Sequence, residues 1–281
     1  AWIELNRGHL MDNIRQFRML LPTDCALMPA VKANAYGHGA PLIAGALQEQ
    51  GVHSFCVASV AEGIELRQAG IWGEILVLGY THPGQFSDLA YYSLTQTVVD
   101  LEYARKMQED GHRFTVHIGI DTGMHRLGER WDNLEGILEI FRFPNLKVTG
   151  IYSHLCASDG ITQWERTYTL EQIRHFESVV EELHRKGIFG FKCHLQGSYG
   201  ILHYSELCFD YARAGIALYG ILSGKGDKVD APLQLHPVLS LKARVETVKT
   251  LYRGEGAGYG LAYRTGENRK IGALSIGYAD G

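Results

Sequence analysis

The chain has no apolar run approaching the ~20 residues needed to span a bilayer, and no secretory signal peptide opens it. It has no run of basic residues with interleaved aromatics, and a formal charge of -4 gives no electrostatic argument for nucleic acid. It has no CxxC pair. Its five cysteines (Cys25, Cys56, Cys156, Cys193, Cys208) are scattered, and their odd number and spacing fit neither a disulfide framework nor a zinc site. Most are expected to be reduced core residues in a cytoplasmic setting, with no metal bound. No GxGxxG follows the first apolar run, which removes the dinucleotide-binding signature. The sequence opens at Ala1 and stops at "SIGYADG", which reads as a piece of something longer.

What is present is apolar patterning. With 281 residues, 46% of them hydrophobic, the chain can build one large or two medium domains. Strands are expected at 26–31, 54–59, 74–79, 95–100, 114–120, 148–155, 192–198 and 213–220, with helical periodicity between them. In "LEQIRHFESVVEELHRKG" the residues Leu170, Ile173, Phe176, Val179, Val180 and Leu183 form one stripe, and Gly187 suits a cap. Strands that are apolar throughout, alternating with helices, predict an α/β fold with a parallel sheet. Eight of them in this length match a (β/α)8 TIM-type barrel; a doubly wound open sheet is the rival. From Ala231 the rhythm turns to β-branched alternation, so residues 1–230 are expected to form the barrel and 231–281 to begin a β-rich domain. "SGKGDKVDAPL" has linker composition at that boundary.

The stretch "LMPAVKANAYGHGA" carries the chemistry. An apolar run ends directly in Lys32, and small residues, Asn34, Tyr36 and His38 follow. Other polar residues fall at strand ends: His154, Ser198, Arg213, and Asp121, Thr122 and Arg126 in "GIDTGMHRLG". Singly, each has a bland reading: a hydrogen-bonded core histidine, an Asx-type turn at Asp121, an N-cap at Ser198. Together they mark one end of a barrel, where such enzymes do their chemistry. A lysine at the wall of an apolar pocket is desolvated and suited to Schiff-base formation. A hydroxyl at Ser198 and bare backbone at Gly215 and Ile216 suit a phosphate. Pyridoxal phosphate fits both features, and so does a sugar-phosphate aldolase.

The motifs "AVKANAYGHG", "IDTGMHRLG", "SHLCASD", "RAGIALYG", "GYGLAYRT" and "IGYADG", in this order along the whole chain, resemble the alanine racemase family of barrel-type pyridoxal-phosphate enzymes. The resemblance implies that Lys32 carries the cofactor pyridoxal 5'-phosphate and is one catalytic base. It implies that Tyr36, Ser198, Gly215 and Ile216 hold the phosphate, that Arg213 faces the pyridine nitrogen and that His154 orients Arg213. It places Arg126 near the substrate carboxylate and makes Tyr259 the second catalytic base. It further implies a small amino-acid substrate and a head-to-tail homodimer in which Tyr259 reaches the other subunit.

"LMPAVKANAYGHGA", "FCVASVAEGIELRQAGIWGEILVLGYTHP" and "LQGSYGIL" are most similar to the racemase domain of the membrane-bound serine/alanine racemases of vancomycin resistance. That would set the domain in the cytoplasm, behind a transmembrane portion of its parent, supplying D-amino acids for cell-wall precursors. A housekeeping alanine racemase, or a pyridoxal-phosphate-binding barrel without turnover, are the alternatives. "GYGLAYRT" in a second domain argues for the enzyme. Two departures stand out. Gly119 occupies the place where many family members have a carbamylated lysine, and "QGS" replaces the commoner Asn-Ser pair at Ser198.

Overall fold

A computed structural model describes residues 1–280 apart from Lys225, Lys228 and Asp230. Part of the expected linker, including the position just before Ala231, therefore lies outside the described residues, as does Gly281. Eight parallel strands form the centre: β1 (Ala26–Leu27), β2 (Ser54–Val57), β3 (Glu74–Val77), β4 (Thr95–Val98), β5 (Phe114–Asp121), β6 (Leu146–Tyr152), β7 (Lys192–His194) and β8 (Tyr211–Ala212). Their spatial order is β1-β8-β7-β6-β5-β4-β3-β2. A parallel bridge between Ala30 and Cys56 then brings the continuation of β1 against β2, nearly closing a barrel. Ser54–Val57 and Thr95–Val98 are buried at every position, as expected of strands covered on both faces.

Helices follow the strands. Gln163–Arg185 begins seven residues before Leu170 because Thr162 and Glu165 form a reciprocal capping box that starts it there. It buries Ile173, Phe176, Val179 and Leu183, whereas Leu170 is 48% exposed and lies outside the buried stripe. Gly187, at φ 79°, ends the segment in the left-handed conformation.

Residues 213–220 do not form the expected eighth strand. The strand is Tyr211–Ala212, and Ile216–Tyr219 winds into a 3-10 turn stopped by Gly220 at φ 87°. Arg213 still donates its backbone N–H to Gln196 O at 2.9 Å, so ladder pairing runs on briefly past β8. Its side chain thus emerges at the end of a strand rather than at its start. Two of the five cysteines, Cys56 and Cys193, are buried; Cys156 and Cys208 are exposed, and all five are free thiols.

The chain divides into two compact units, Arg7–Pro237 and a second made of Ala1–Asn6 with Val238–Gly281. In the second, Trp2–Leu5 pairs antiparallel with Leu239–Lys242, Val245–Leu251 with Arg269–Leu274, and Gly256–Ala257 with Tyr263–Arg264. Among the described residues no helix is long and apolar enough to cross a membrane.

Candidate active site

Lys32 follows Val31, which is fully buried, and the backbone then does something unusual. Ala33, Asn34 and Ala35 have φ/ψ of 51/49°, 53/45° and 54/48°, and Tyr36 has φ 54°. Four successive non-glycine residues are left-handed, at a cost of roughly 1–2 kcal/mol each. The residue types minimise the penalty: two alanines, and an asparagine whose side chain tolerates this region. The turn is pinned from outside. Glu62 accepts the Ala33 N–H at 2.8 Å with one carboxylate oxygen and the Ala58 N–H at 2.6 Å with the other. Asn34 Oδ1 accepts the Ala40 N–H at 2.8 Å. Strain held this way by its surroundings is typical of functional sites.

Beside this turn lies a cleft. Lys32, Gly119, Arg126, Tyr152, His154 and Arg213 are among its lining. Arg213 is 5% exposed. Its guanidinium donates to Ser153 O at 2.6 Å, Leu195 O at 3.0 Å, His194 Nδ1 at 2.6 Å and His154 Nδ1 at 3.2 Å, and sits over the Tyr152 ring at 4.9 Å. Because a guanidinium only donates, Nδ1 of each histidine must carry a lone pair. Burial, then the positive charges of Arg213, Arg126 and Lys32, push His154 down to about 3, so it is neutral.

The loop after β5 is an Asx-type turn. Asp121 Oδ1 accepts the N–H groups of Gly123 at 3.0 Å and His125 at 2.9 Å. Burial raises the Asp121 carboxyl, but these bonds and the His125 ring outweigh it and hold the group below its usual range. The Asx-type turn at Asp121 is thus present, and both Asp121 and Arg126 line the cleft. A Cβ at Gly119 would stand 3.3 Å from both Gly128 Cα and Val98 O, so any side chain there would press on the same loop.

A second group of residues gathers around Gly215. A Cβ there would stand 2.8 Å from the Tyr36 hydroxyl and 3.5 Å from Ser198 Oγ, so only glycine leaves the space those hydroxyls face. Ser198 Oγ accepts the N–H groups of Gly215 at 2.9 Å and Ala217 at 3.3 Å. Ile216 follows at the start of the 3-10 turn. Hydroxyls and bare backbone around a glycine fit a phosphate group. Gly197, next to Ser198, ties this group to the cleft: a Cβ on it would meet His154 Cε1 at 3.1 Å. Lysine, cation and phosphate-sized cradle together fit pyridoxal phosphate. Tyr259 lies in the other unit and is 96% exposed.

Some site residues carried no usable signal in the sequence. Gln172, 1% exposed on the long helix, donates to His154 O at 3.1 Å and Thr122 Oγ1 at 3.3 Å. Glu62, His117 and His194 are equally silent as letters. A glutamine three residues from another polar helix position looks like surface.

Profiles of two families match the chain: "Alanine racemase, N-terminal domain" over residues 5–223 and "Alanine racemase, C-terminal domain" over residues 238–281. The chain belongs to the alanine racemase family. It is 40% identical to an amino-acid racemase of Enterococcus faecalis and 38% identical to a serine/alanine racemase of Enterococcus gallinarum, each over 99% of this chain. The chain spans only 40% of the length of those two relatives. It is 38% identical to the alanine racemase of Carboxydothermus hydrogenoformans, covering 100% of this chain and 76% of that one. The alanine racemase structure from Clostridium difficile 630 superposes with a TM-score of 0.91 at 34% identity, covering 99% of this chain and 73% of that one.

Proposed function

We propose that the chain is the catalytic domain of a pyridoxal-phosphate-dependent racemase that interconverts the L and D forms of serine, alanine or both. One juxtaposition carries the reading: Lys32, Arg126, His154 and Arg213 line one cleft, with the Tyr36–Ser198–Gly215 cradle joined to it through Gly197. In this reading residues 1–230 hold the cofactor and residues 231–281 supply the second base.

Racemisation removes a proton from one face of Cα and returns one to the other, so two groups must flank that carbon. Bound pyridoxal phosphate would supply the electron sink this needs. Lys32 Nζ would hold it covalently, with Tyr36 Oη, Ser198 and the Gly215–Ile216 backbone on its phosphate. Arg213 would face the pyridine nitrogen, and a fixed cation there disfavours a proton on that nitrogen. The sink is then weak, which suppresses decarboxylation and transamination. Neutral His154 accepts from Arg213 and orients it, while Arg126 would hold the substrate carboxylate. Lys32 Nζ would move the Cα proton on the face belonging to D-amino acids, and Tyr259 Oη on the L face.

Tyr259 belongs to the second unit, and its exposure suits a residue lent to another copy. We therefore propose a head-to-tail homodimer in which each copy completes its partner's cleft. The likeness to the Enterococcus gallinarum serine/alanine racemase supports serine or alanine as substrate. On the resemblance of the motifs alone we propose a role in making D-amino acids for cell-wall precursors under vancomycin resistance, in the cytoplasm behind a membrane-anchored part of a parent chain. Racemisation rates for L-serine and L-alanine test the substrate. Borohydride reduction followed by mass spectrometry tests the site: the label is expected on Lys32, and a label on another lysine, or none, overturns the reading.

A further inference from the structure

Arg213 presents a physical problem. It is a buried cation, and among the described residues its guanidinium contacts no carboxylate. Buried charges are ordinarily paired. The countercharge lies elsewhere, at the end of a line of side chains through the barrel interior. Arg213 Nη1 lies 2.6 Å from His194 Nδ1, His194 Nε2 lies 2.9 Å from His117 Nδ1, and His117 Nε2 lies 3.0 Å from Glu74 Oε1. Both imidazoles are fully buried, and Glu74 is the first residue of β3, at the mouth of the barrel opposite the cleft.

The directions of the two hydrogen bonds are forced. Arg213 can only donate, so His194 Nδ1 accepts and its proton sits on Nε2. That proton is donated to His117 Nδ1, which places the His117 proton on Nε2, facing the Glu74 carboxylate. With neutral rings no other single assignment satisfies the two hydrogen bonds, and it leaves the His117 Nε2 proton 3.0 Å from Glu74 Oε1 but outside hydrogen-bond geometry. Burial, then the charge of Arg213, keeps His194 well below its usual range, in agreement with a neutral ring. The Glu74 carboxyl, raised by burial, is held below its usual range overall by His117 and the hydroxyls of Tyr211 and Thr95.

The surrounding sequence makes room for this line. A Cβ at Gly150, in the middle of β6, would stand 2.6 Å from His117 Nε2. The Tyr152 ring stacks on His194 at 4.8 Å and 10°. A glycine inside a strand and an aromatic plate fix both rings in place.

We propose that Glu74 is a positioning residue for Arg213, acting through a line of His117 and His194, hydrogen-bonded to each other and to Arg213 and ending in a 3.0 Å contact with Glu74, that balances the buried guanidinium and holds it at the cleft. This rests on the functional reading for the role of Arg213 but not for the chain itself. Histidine ring nitrogens in the 15N-labelled full chain report tautomers directly. Both His194 and His117 are expected to be protonated on Nε2 alone; a proton on Nδ1 of either ring overturns the proposal.

Glu74→Leu removes the carboxylate at the end of the line and should disturb the His194 resonances two links away. It should also lower kcat with little change in KM, as outer-shell partners of metal-bound histidines do, on the order of 10–100-fold. Glu74→Gln keeps an acceptor oxygen and should restore the His194 pattern and part of kcat. An unmoved His194 signal in a folded Glu74→Leu variant overturns the proposal. If that variant does not fold, the wild-type tautomers still decide. An intact tautomer chain in a protein that racemises nothing would sink the functional reading and leave the chain standing.

Discussion

The two units differ in how they treat their polar and apolar residues. In Arg7–Pro237 the core is closed, and the side chains at the cleft are held by several bonds each: Arg213 by four, Asp121 by three. The second unit consists of two-stranded ladders with apolar residues in the open: Leu241 at 60%, Val245 at 57% and Val248 at 59% exposure. Two-stranded ladders are marginal by themselves, and open apolar faces call for cover. What differs is how far each unit fixes its own polar side chains. The barrel can preset its cation and its lysine from within one chain. Tyr259 sits exposed on a 3-10 turn.

The largest effects should follow the candidate bases, one from each unit. Lys32→Ala should abolish racemisation and borohydride labelling together. Tyr259→Phe keeps the ring but removes the hydroxyl, and net racemisation should fall on the order of 10²–10⁴-fold. Exchange of the α-hydrogen with deuterium should persist from the D-amino acid and vanish from the L-amino acid. Mixed Lys32→Ala and Tyr259→Phe subunits should regain part of the activity, since one site per heterodimer would hold both bases. Retained L-side exchange breaks the two-base assignment; confirmed heterodimers without activity break the sharing.

How much of this was legible in the sequence follows the same division. The barrel was readable because its strands are buried on both faces, so their letters are continuously apolar. Lys32 stood out because a charge closes such a run. The eighth strand was misplaced because "IALY" is as apolar as a strand, yet Gly215 and Gly220 fold it into a turn. The left-handed path of residues 33–36 left no trace, since Ala-Asn-Ala is also ordinary loop composition. His117 and His194 could not be linked because their pairing crosses 77 positions of sequence. "WIEL" pairs with a strand beyond residue 238, and nothing local marks that.

All 13 histidines fall between His9 and His236, so histidine-linked pH dependence belongs to the barrel unit alone. His154 is depressed to about 3 in the folded protein, against an ordinary 6.5. The unfolded chain therefore binds a proton below pH 6.5 that the folded chain refuses, and stability present above that pH is lost as pH falls toward 3. Between pH 7 and 5 this amounts to ~2 kcal/mol for His154. His194, lowered in the same direction, adds to it. Urea titrations at the two pH values should show the loss, and His154→Asn should shrink it. An unchanged slope would mean that His154 is not held neutral.

A smaller effect is expected at Gly215. Its alanine variant places a Cβ 2.8 Å from the Tyr36 hydroxyl, so the cradle must open. Pyridoxal phosphate should bind about tenfold more weakly, ~1.4 kcal/mol, by absorbance titration. Adding Tyr36→Phe removes the colliding hydroxyl. If the collision is what costs affinity, the second change should lose less on the Gly215→Ala background than on the wild type. Additive losses would mean that the two residues do not share one space.

The smallest effect tests the strain in the barrel unit directly. Ala33 is left-handed at φ 51°, and its backbone N–H is held by Glu62 at 2.8 Å. Glycine relieves the left-handed penalty of roughly 1–2 kcal/mol, while its greater freedom in the unfolded chain costs about 0.5–1 kcal/mol. Ala33→Gly should therefore stabilise the protein by about 0.5–1 kcal/mol, a rise of ~1–4 °C in Tm for a domain of this size. Asn34→Gly should gain less or lose, because asparagine already tolerates this region and its Oδ1 accepts the Ala40 N–H at 2.8 Å. The gain at Ala33 should come with weaker cofactor retention, since a looser turn no longer fixes Lys32 on one side and Tyr36 on the other. A variant that is more stable and holds the cofactor just as well would show that the left-handed turn is an incidental feature of the loop and does nothing to preset the lysine.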